Sequence, residues 1–309
     1  MNKKTFTGIA TASAALVALS ALPVSAAAQA HHHGTAPVTE SATAKREKQE
    51  VLNLLSAYRT GDQAAFKVIN PKKFIQHDPA VADGVAGLRS WLTAAPKGKI
   101  SVHPVRVLVD GSYVAVHSET DLPTGTTVSF DVFRFEQGRI VEHWDSRQAV
   151  TAPNASGHTE LDGATTVKDL GKTRYDKARV DTGMQEVFVQ RQLSKFGEPI
   201  WSSKEYRQHH YGDVQDGVAG AKPVLDAVAD GSLAYTKINK VLGEGNFVLT
   251  IGQGTVQGTP TAYYDLFRLD KGKIVEHWDV LTPLTAPAQA KNANGEFDFP
   301  QDQLSTNAS

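Results

Sequence analysis

Apolar positions recur with helical spacing between Lys48 and Arg59. Val51, Leu52, Leu54, Leu55 and Tyr58 share one stripe, and Gly61-Asp62 ends it. A second short helix is predicted over Ala64–Ile69, closed by Asn70-Pro71, because a residue before proline is pushed out of helical backbone. A third covers Gly87–Ala95, with Leu88, Trp91, Leu92 and Ala95 on one side. From Val102 onward the period changes to two. Val102–Val109, Tyr113–Glu119, Thr127–Phe135 and Ile140–Ser146 read as strands, with turn signals at Asp110-Gly111 and Gln137-Gly138. Helices followed by an antiparallel meander define an α+β plan, in which a curved sheet wraps over helices and encloses a pocket.

The pattern then repeats. Residues 131–145, DVFRFEQGRIVEHWD, match residues 265–279, DLFRLDKGKIVEHWD, at ten of fifteen positions. Phe74-Ile75-Gln76-His77 answers Tyr206-Arg207-Gln208-His209, Asp83-Gly84-Val85-Ala86-Gly87 answers Asp216-Gly217-Val218-Ala219-Gly220, and Thr151-Ala152-Pro153 answers Thr285-Ala286-Pro287. The chain therefore reads as a duplicated domain. The first copy spans 45–153. The second, with a polar tail containing Phe297 and Phe299, spans 175–309. A Gly-, Thr-, Ser- and Asp-rich linker, 154–174, joins them.

The ends and the composition narrow the reading. Lys3 and Lys4, an apolar run from Ile9 to Leu22, and small residues around Ala26 and Ala30 have the form of a secretory signal peptide over 1–30, cleaved after Ala30 or Ala26. The run is shorter than the ~20 residues a span requires, so no membrane attachment is expected after cleavage. Removal takes the net charge from −1 to −3, residues 31–44 become a disordered stub that includes His31-His32-His33, and the expected location is secreted or extracytoplasmic. The 309 residues include no cysteine, which excludes disulfides and thiol chemistry. No long basic stripe exists, so nucleic acid is not an expected partner.

Chemistry concentrates in the last hairpin. Alternation places Val141, His143 and Asp145 on one face of their strand and Ile140, Glu142 and Trp144 on the other. With a three-residue loop keeping parity, Asp131, Phe133 and Phe135 join His143 and Asp145, and Arg134 faces Glu142. Two carboxylates and an imidazole among apolar side chains suit general acid/base work. Asp265, His277 and Asp279 form the corresponding set. A solvated surface strand is the alternative.

The run Asp-x-Phe-Arg-x-x-x-Gly-Arg/Lys-Ile-Val-Glu-His-Trp-Asp, with Gln76-His77-Asp78-Pro79 and Val81-Ala82-Asp83-Gly84 upstream, resembles the SnoaL-like polyketide cyclase family, in particular its predicted SnoaL-like aldol-condensation subgroup. The resemblance covers both copies. It implies two tandem cone-shaped α+β barrels of the kind shared with ketosteroid isomerase and scytalone dehydratase. It also implies cofactor-independent chemistry, with Asp145 and Asp279 at the position of the acid/base group and His77 and His209 as pocket histidines. His117, whose counterpart is Ile251, adds a titratable group to the first copy. No His-x-x-x-His or comparable spacing is present, so neither metal nor cofactor is expected.

Two functions follow. One is acid/base catalysis (aldol condensation, isomerisation or dehydration) on a small hydrophobic carbonyl compound. The other is a non-catalytic module for ligand binding or association. Such domains often pair through their sheets, so the repeats are expected to form an intramolecular pseudo-dimer.

Overall fold

The computed structural model describes residues 38–96 and 98–300. The expected signal peptide, His31-His32-His33 and residues 301–309 lie outside the described residues. Helix α1 spans Ala42–Thr60, starting six residues before the apolar stripe and inside the stretch expected as a stub. Ser41 caps it, its Oγ accepting from the Ala44 N–H at 3.0 Å. A 3₁₀ turn at Ala65–Val68 and helix α2, Gly84–Ala94, complete the helical part of the first repeat.

The first sheet contains β1 (Ile75–Gln76), β2 (Ser101–Asp110), β3 (Tyr113–Leu122), β4 (Gly125–Glu136) and β5 (Arg139–Ala149), in the order β1-β5-β4-β3-β2. The meander β2–β5 is antiparallel, but β1 pairs parallel with β5, so the sheet is mixed. Two residues are too short to show a period, which is why β1 escapes sequence reading. The second repeat follows the same plan. Helix α3 (Thr173–Gly183) runs into a π-helical turn at Met184–Val189, and α4 spans Lys222–Asp230. The strands β6 (Arg207–Gln208), β7 (Leu233–Glu244), β8 (Phe247–Val256), β9 (Thr259–Asp270) and β10 (Lys273–Pro283) take the order β6-β10-β9-β8-β7. Among the described residues, no helix is long and apolar enough to cross a membrane.

The β4–β5 turn corrects one premise. Gln137 and Gly138 both have positive φ, 52° and 73°, and Glu136 pairs with Arg139, so the loop has two residues rather than three. By itself this would reverse the face of every residue in β5. A bulge at Val141 restores parity. Phe135 pairs with Ile140, but Arg134 pairs with Glu142, Phe133 with His143 and Asp131 with Asp145. Ile140 consequently lies in the helix-side core with Phe133 and Phe135, not on the side of Trp144. Lys271-Gly272 and a bulge at Val275 reproduce this geometry in β9–β10.

Each sheet has two buried faces. One carries Val114, Val116, Phe133 and Phe135 against Val51, Leu54 and Leu55 of α1. The opposite faces of both sheets meet in one shared cluster, which includes Phe130, Val132 and Trp144 from the first and Leu249, Ile251, Tyr264 and Trp278 from the second. Phe130 and Tyr264, equivalent positions, stack at 6.1 Å across this contact. Cross-links repeat in pairs. Lys48 reaches Glu244 and Lys177 reaches Asp110, while Glu244 also accepts the Val109 N–H and Asp110 the Gly243 N–H.

The segments after each repeat cross to the other one. Thr159-Glu160-Leu161-Asp162 packs over the second repeat, and Gly295-Glu296-Phe297-Asp298 over the first. Thr159 O faces His209 Nδ1 at 2.9 Å, and Gly295 O faces His77 Nδ1 at 2.7 Å. In each segment the aspartate accepts the N–H three residues earlier. Glu160 accepts from Thr151 and Glu296 from the equivalent Thr285. The linker and the tail are thus a second copy-related pair of straps. Phe299 stacks on Trp144 at 4.5 Å. At the matching place Gly163 has φ of 89°, and a Cβ there would lie 2.3 Å from Glu276 Oε1 and 2.9 Å from Trp278.

Two outcomes are expected. Ile251→Ala opens a cavity between the sheets and costs about 2–5 kcal/mol in urea unfolding. Burial is the main cause holding the Glu296 carboxyl up at about 7, with Asp78 and Asp145 adding to it against the Thr285 N–H. Because the folded value exceeds the free value of 4.5, its contribution to stability is complete below pH 4.5 and drains as pH rises through 7. Glu296→Gln should therefore gain on the wild type between pH 5 and pH 8, by on the order of 1 kcal/mol after allowance for partial exposure. Urea midpoints across that range check it, and a difference independent of pH would refute it.

Candidate functional site

The hairpin register brings Asp131, His143 and Asp145 together on the helix-facing side of the first sheet, and Asp265, His277 and Asp279 on that of the second. His143 Nε2 lies 3.1 Å from Asp131 Oδ1, and Nδ1 lies 3.0 Å from Gln76 Oε1. Gln76 Oε1 also accepts the Asp78 N–H at 2.9 Å, so that atom is the amide oxygen and Nδ1 must carry a proton. One further proton then lies on the line between Nε2 and Asp131. Burial opposes charge on His143, but the bond to Asp131 and the charges of Asp145, Asp131 and Asp78 outweigh it and raise its pKa. The second repeat repeats the chain, with His277 Nδ1 at 2.8 Å from Gln208 Oε1 and Nε2 at 3.1 Å from Asp265 Oδ1. There the Tyr235 hydroxyl also donates to Asp265 at 3.0 Å. Burial raises the Asp265 pKa against those bonds.

The second aspartate differs in its partners. Arg147 Nη2 bridges Asp78 Oδ2, at 2.7 Å, and Asp145 Oδ2. In the other repeat Leu281 stands where Arg147 does and His210 where Asp78 does, and His210 Nδ1 lies 2.6 Å from Asp279 Oδ2. Burial works to raise the Asp279 pKa, but His210, then His277, hold it low. In the first repeat burial, then Asp145, raise the pKa of Asp78 against Arg147. In both repeats the remaining oxygen, Asp145 Oδ1 or Asp279 Oδ1, is buried with no hydrogen-bond partner in the protein. An orphaned buried acceptor costs about 1–3 kcal/mol.

Three predicted site residues lie elsewhere. His77 stacks on Trp144 at 4.3 Å and His209 on Trp278 at 4.6 Å, both on the strap side of the strand. The reason is alternation. Gln76 ends β1 and His77 follows it, its N–H still bonded to His143 O, so only one of the two can face the pocket. His117 points between the sheets, 3.0 Å from Arg106 Nη1 and stacked on Phe130. Burial, then Arg106, depress its pKa well below the usual range. Its counterpart Ile251 belongs to the same inter-sheet cluster and so indicates nothing about the second pocket. His103 is exposed beside Asp121.

Gln76, Asp78, Arg147 and Tyr58, together with Gln208, His210 and Tyr235, belong to the sites without standing out as site residues in the sequence pattern. The repeated Gln-His dipeptide was the available signal for the glutamines. Tyr58, read only as part of an apolar stripe, lines the first cavity with Asp131, Asp145 and Arg147. Burial, then Asp131 and Asp145, push its phenol far up, so it stays a donor. The cavities are small, about 20 Å³ in the first repeat and 30 Å³ in the second. Tyr58 and Ile100 also line an open groove of about 600 Å³ between α1 and α2. Asp265, His277 and Asp279 converge closely enough to hold a cation, as do His158, Asp162 and His209.

Residues 51–143 match the model of the SnoaL-like domain. No curated protein matches the chain. Similar solved structures include TsrD from Streptomyces laurentii, 19% identical with a TM-score of 0.29, covering 36% of this chain and 92% of its own. An NTF2-like protein of unknown function from Cytophaga hutchinsonii is 18% identical with a TM-score of 0.30, covering 36% and 93%. IdmH from Streptomyces antibioticus, a candidate polyketide cyclase, is 19% identical with a TM-score of 0.28, covering 33% and 91%.

The exchange of partners around the second aspartate yields a prediction. Arg147→Leu leaves two buried carboxylates facing each other and should cost about 3–5 kcal/mol at pH 7. Adding Asp78→His, which recreates the second repeat's pairing, should recover most of that loss in urea unfolding. A double variant no more stable than the single one would count against the pairing.

Proposed function

We propose that the first repeat is a cofactor-independent acid/base site for a small hydrophobic carbonyl compound, in a secreted protein built from two tandem SnoaL-like domains. Asp145 carries the reading. One of its oxygens is held by Arg147, the other is buried and unpartnered, and the residue lines the cavity. A carboxylate so placed accepts a proton from the carbon next to a carbonyl through Oδ1. The protonated Tyr58 phenol donates to the enolate oxygen. The Gln76–His143–Asp131 chain keeps charge and geometry beside Asp145 constant. In an aldol step the enolate carbon attacks a second carbonyl, and the new alkoxide takes back the proton from Asp145. The cavity admits little more than a water, so the substrate enters from the groove beside Tyr58 as that side chain moves. The match at residues 51–143 supports the domain assignment, and the charge and apolar pattern of residues 1–30 supports secretion.

The second repeat favours the binding reading. Leu281 replaces Arg147, and Met184, Phe188, Phe196 and Tyr206 close around its cavity. Exchange of α-protons for deuterium in a panel of hydrophobic ketones, followed by NMR in D₂O, tests both readings. Asp145→Asn should slow exchange about 10²–10⁴-fold, and Asp279→Asn far less. Ketones that raise the melting temperature without exchanging would make the first repeat a binder instead. Full exchange by Asp145→Asn would end the catalytic reading.

A further inference from the structure

A second group of polar side chains lies under the strap of the second repeat, outside the pocket. His209 Nε2 faces Glu276 Oε1 at 3.1 Å, while Nδ1 faces both Asp162 Oδ1 at 2.6 Å and Thr159 O at 2.9 Å. Three oxygen acceptors thus surround a ring that has at most two N–H groups. His158 is placed alike. Its Nε2 lies 3.1 Å from Asp216 Oδ2 and its Nδ1 3.4 Å from Asp162 Oδ2. Once each Nε2–H is given to its carboxylate, both Nδ1 lone pairs converge on the two oxygens of Asp162. The ligand atoms of these three residues all lie within 4.8 Å of one another.

We propose that His158, His209 and Asp162 form a binding site for one divalent transition-metal ion, Zn²⁺ in the first place. Two imidazoles and a carboxylate are a borderline donor set suited to zinc. Imidazoles that ligate a metal characteristically donate their other nitrogen to a carboxylate, which Asp216 and Glu276 supply here. With bonds of about 2.0–2.2 Å, neighbouring ligand atoms of a tetrahedral ion sit roughly 3.3 Å apart. The His158–Asp162 spacing, 3.4 Å, is close to this value, and the His209–Asp162 pair, at 2.6 Å, widens to it when the ion enters. The strap is held ready for this. Asn154 Nδ2 donates to Gln208 O and His210 O, and its Oδ1 accepts the His158 N–H.

The first repeat is a built-in control. Asn294 stands where His158 does and donates to Asp83, the equivalent of Asp216, at 3.0 Å. His77 and Asp298 match His209 and Asp162, but no second imidazole is present there. The site is therefore expected once per chain, and the ion pins the strap from the first repeat onto the second.

The full chain is equilibrated with Zn²⁺, dialysed against a weak chelator, and its zinc measured by plasma mass spectrometry. The wild type should retain one equivalent more than His158→Asn and Asp162→Asn. Its melting temperature should rise with Zn²⁺ while theirs does not. Asp216→Asn should weaken binding about 10–100-fold. Any zinc held by His31-His32-His33 is common to all four proteins and cancels. His158→Asn installs the residue the first repeat already uses, and an unchanged metal-free melting curve shows that it folds. Equal zinc retention and equal thermal response in wild type and His158→Asn would overturn the proposal, including the case in which the retained ion sits at Asp265, His277 and Asp279.

Discussion

The burial of one sheet against the other governs the rest of the molecule. Each sheet has an apolar face that its own helices do not cover. Phe130, Val132 and Trp144 on one, and Leu249, Ile251 and Tyr264 on the other, leave water only by meeting. A patch of this kind exposed on a monomer would invite association. Duplication within one chain supplies the partner at fixed high local concentration. The paired cross-links Lys48–Glu244 and Lys177–Asp110 then set the rotation of one repeat against the other.

Once that contact exists, the opposite faces must carry the sites, because side chains alternate and only two faces are available. The two-residue turn and the bulge at Val141 are what make alternation deliver Asp131, His143 and Asp145 to the same side. Alternation also divides the Gln76-His77 dipeptide, sending the amide to the pocket and the imidazole to the strap. The straps follow from the contact as well. A segment leaving one sheet at Thr151 or Thr285 lies closer to the far repeat, so the linker and the tail each cover their neighbour.

The helices, the four long strands and the shared chemistry of the hairpin were legible in the sequence, because they rest on periods of 3.6 and 2 repeated over many residues. The sequence pattern groups Asp131 with Asp145 through a three-residue turn, whereas the structure groups them through a two-residue turn and a bulge. The sequence shows a Gln-Gly or Lys-Gly turn but not the bulge that compensates for it. The two-residue β1 has no period to read, so Gln76 and Gln208 went unseen as partners of the imidazoles. His117 misled because a buried polar residue between two sheets looks, one sequence at a time, like a pocket residue. The straps share only Glu-Leu-Asp and Glu-Phe-Asp, too short to register as a repeat. Their equivalence depends on what they touch.

The two pockets have diverged in a specific way. Asp78 and Arg147 give way to His210 and Leu281, so the cation that pairs with the second aspartate comes from the loop after β6 rather than from the last strand, and has a different chemistry. A change at either position alone would leave a buried charge unpaired, which costs several kcal/mol. The exchange is therefore a coupled one. Through it the Gln–His–Asp chain stays intact, and so does the unpartnered oxygen of the second aspartate. That oxygen brings no stability of its own. It recurs beside two different cations, on an aspartate that lines the cavity in each repeat.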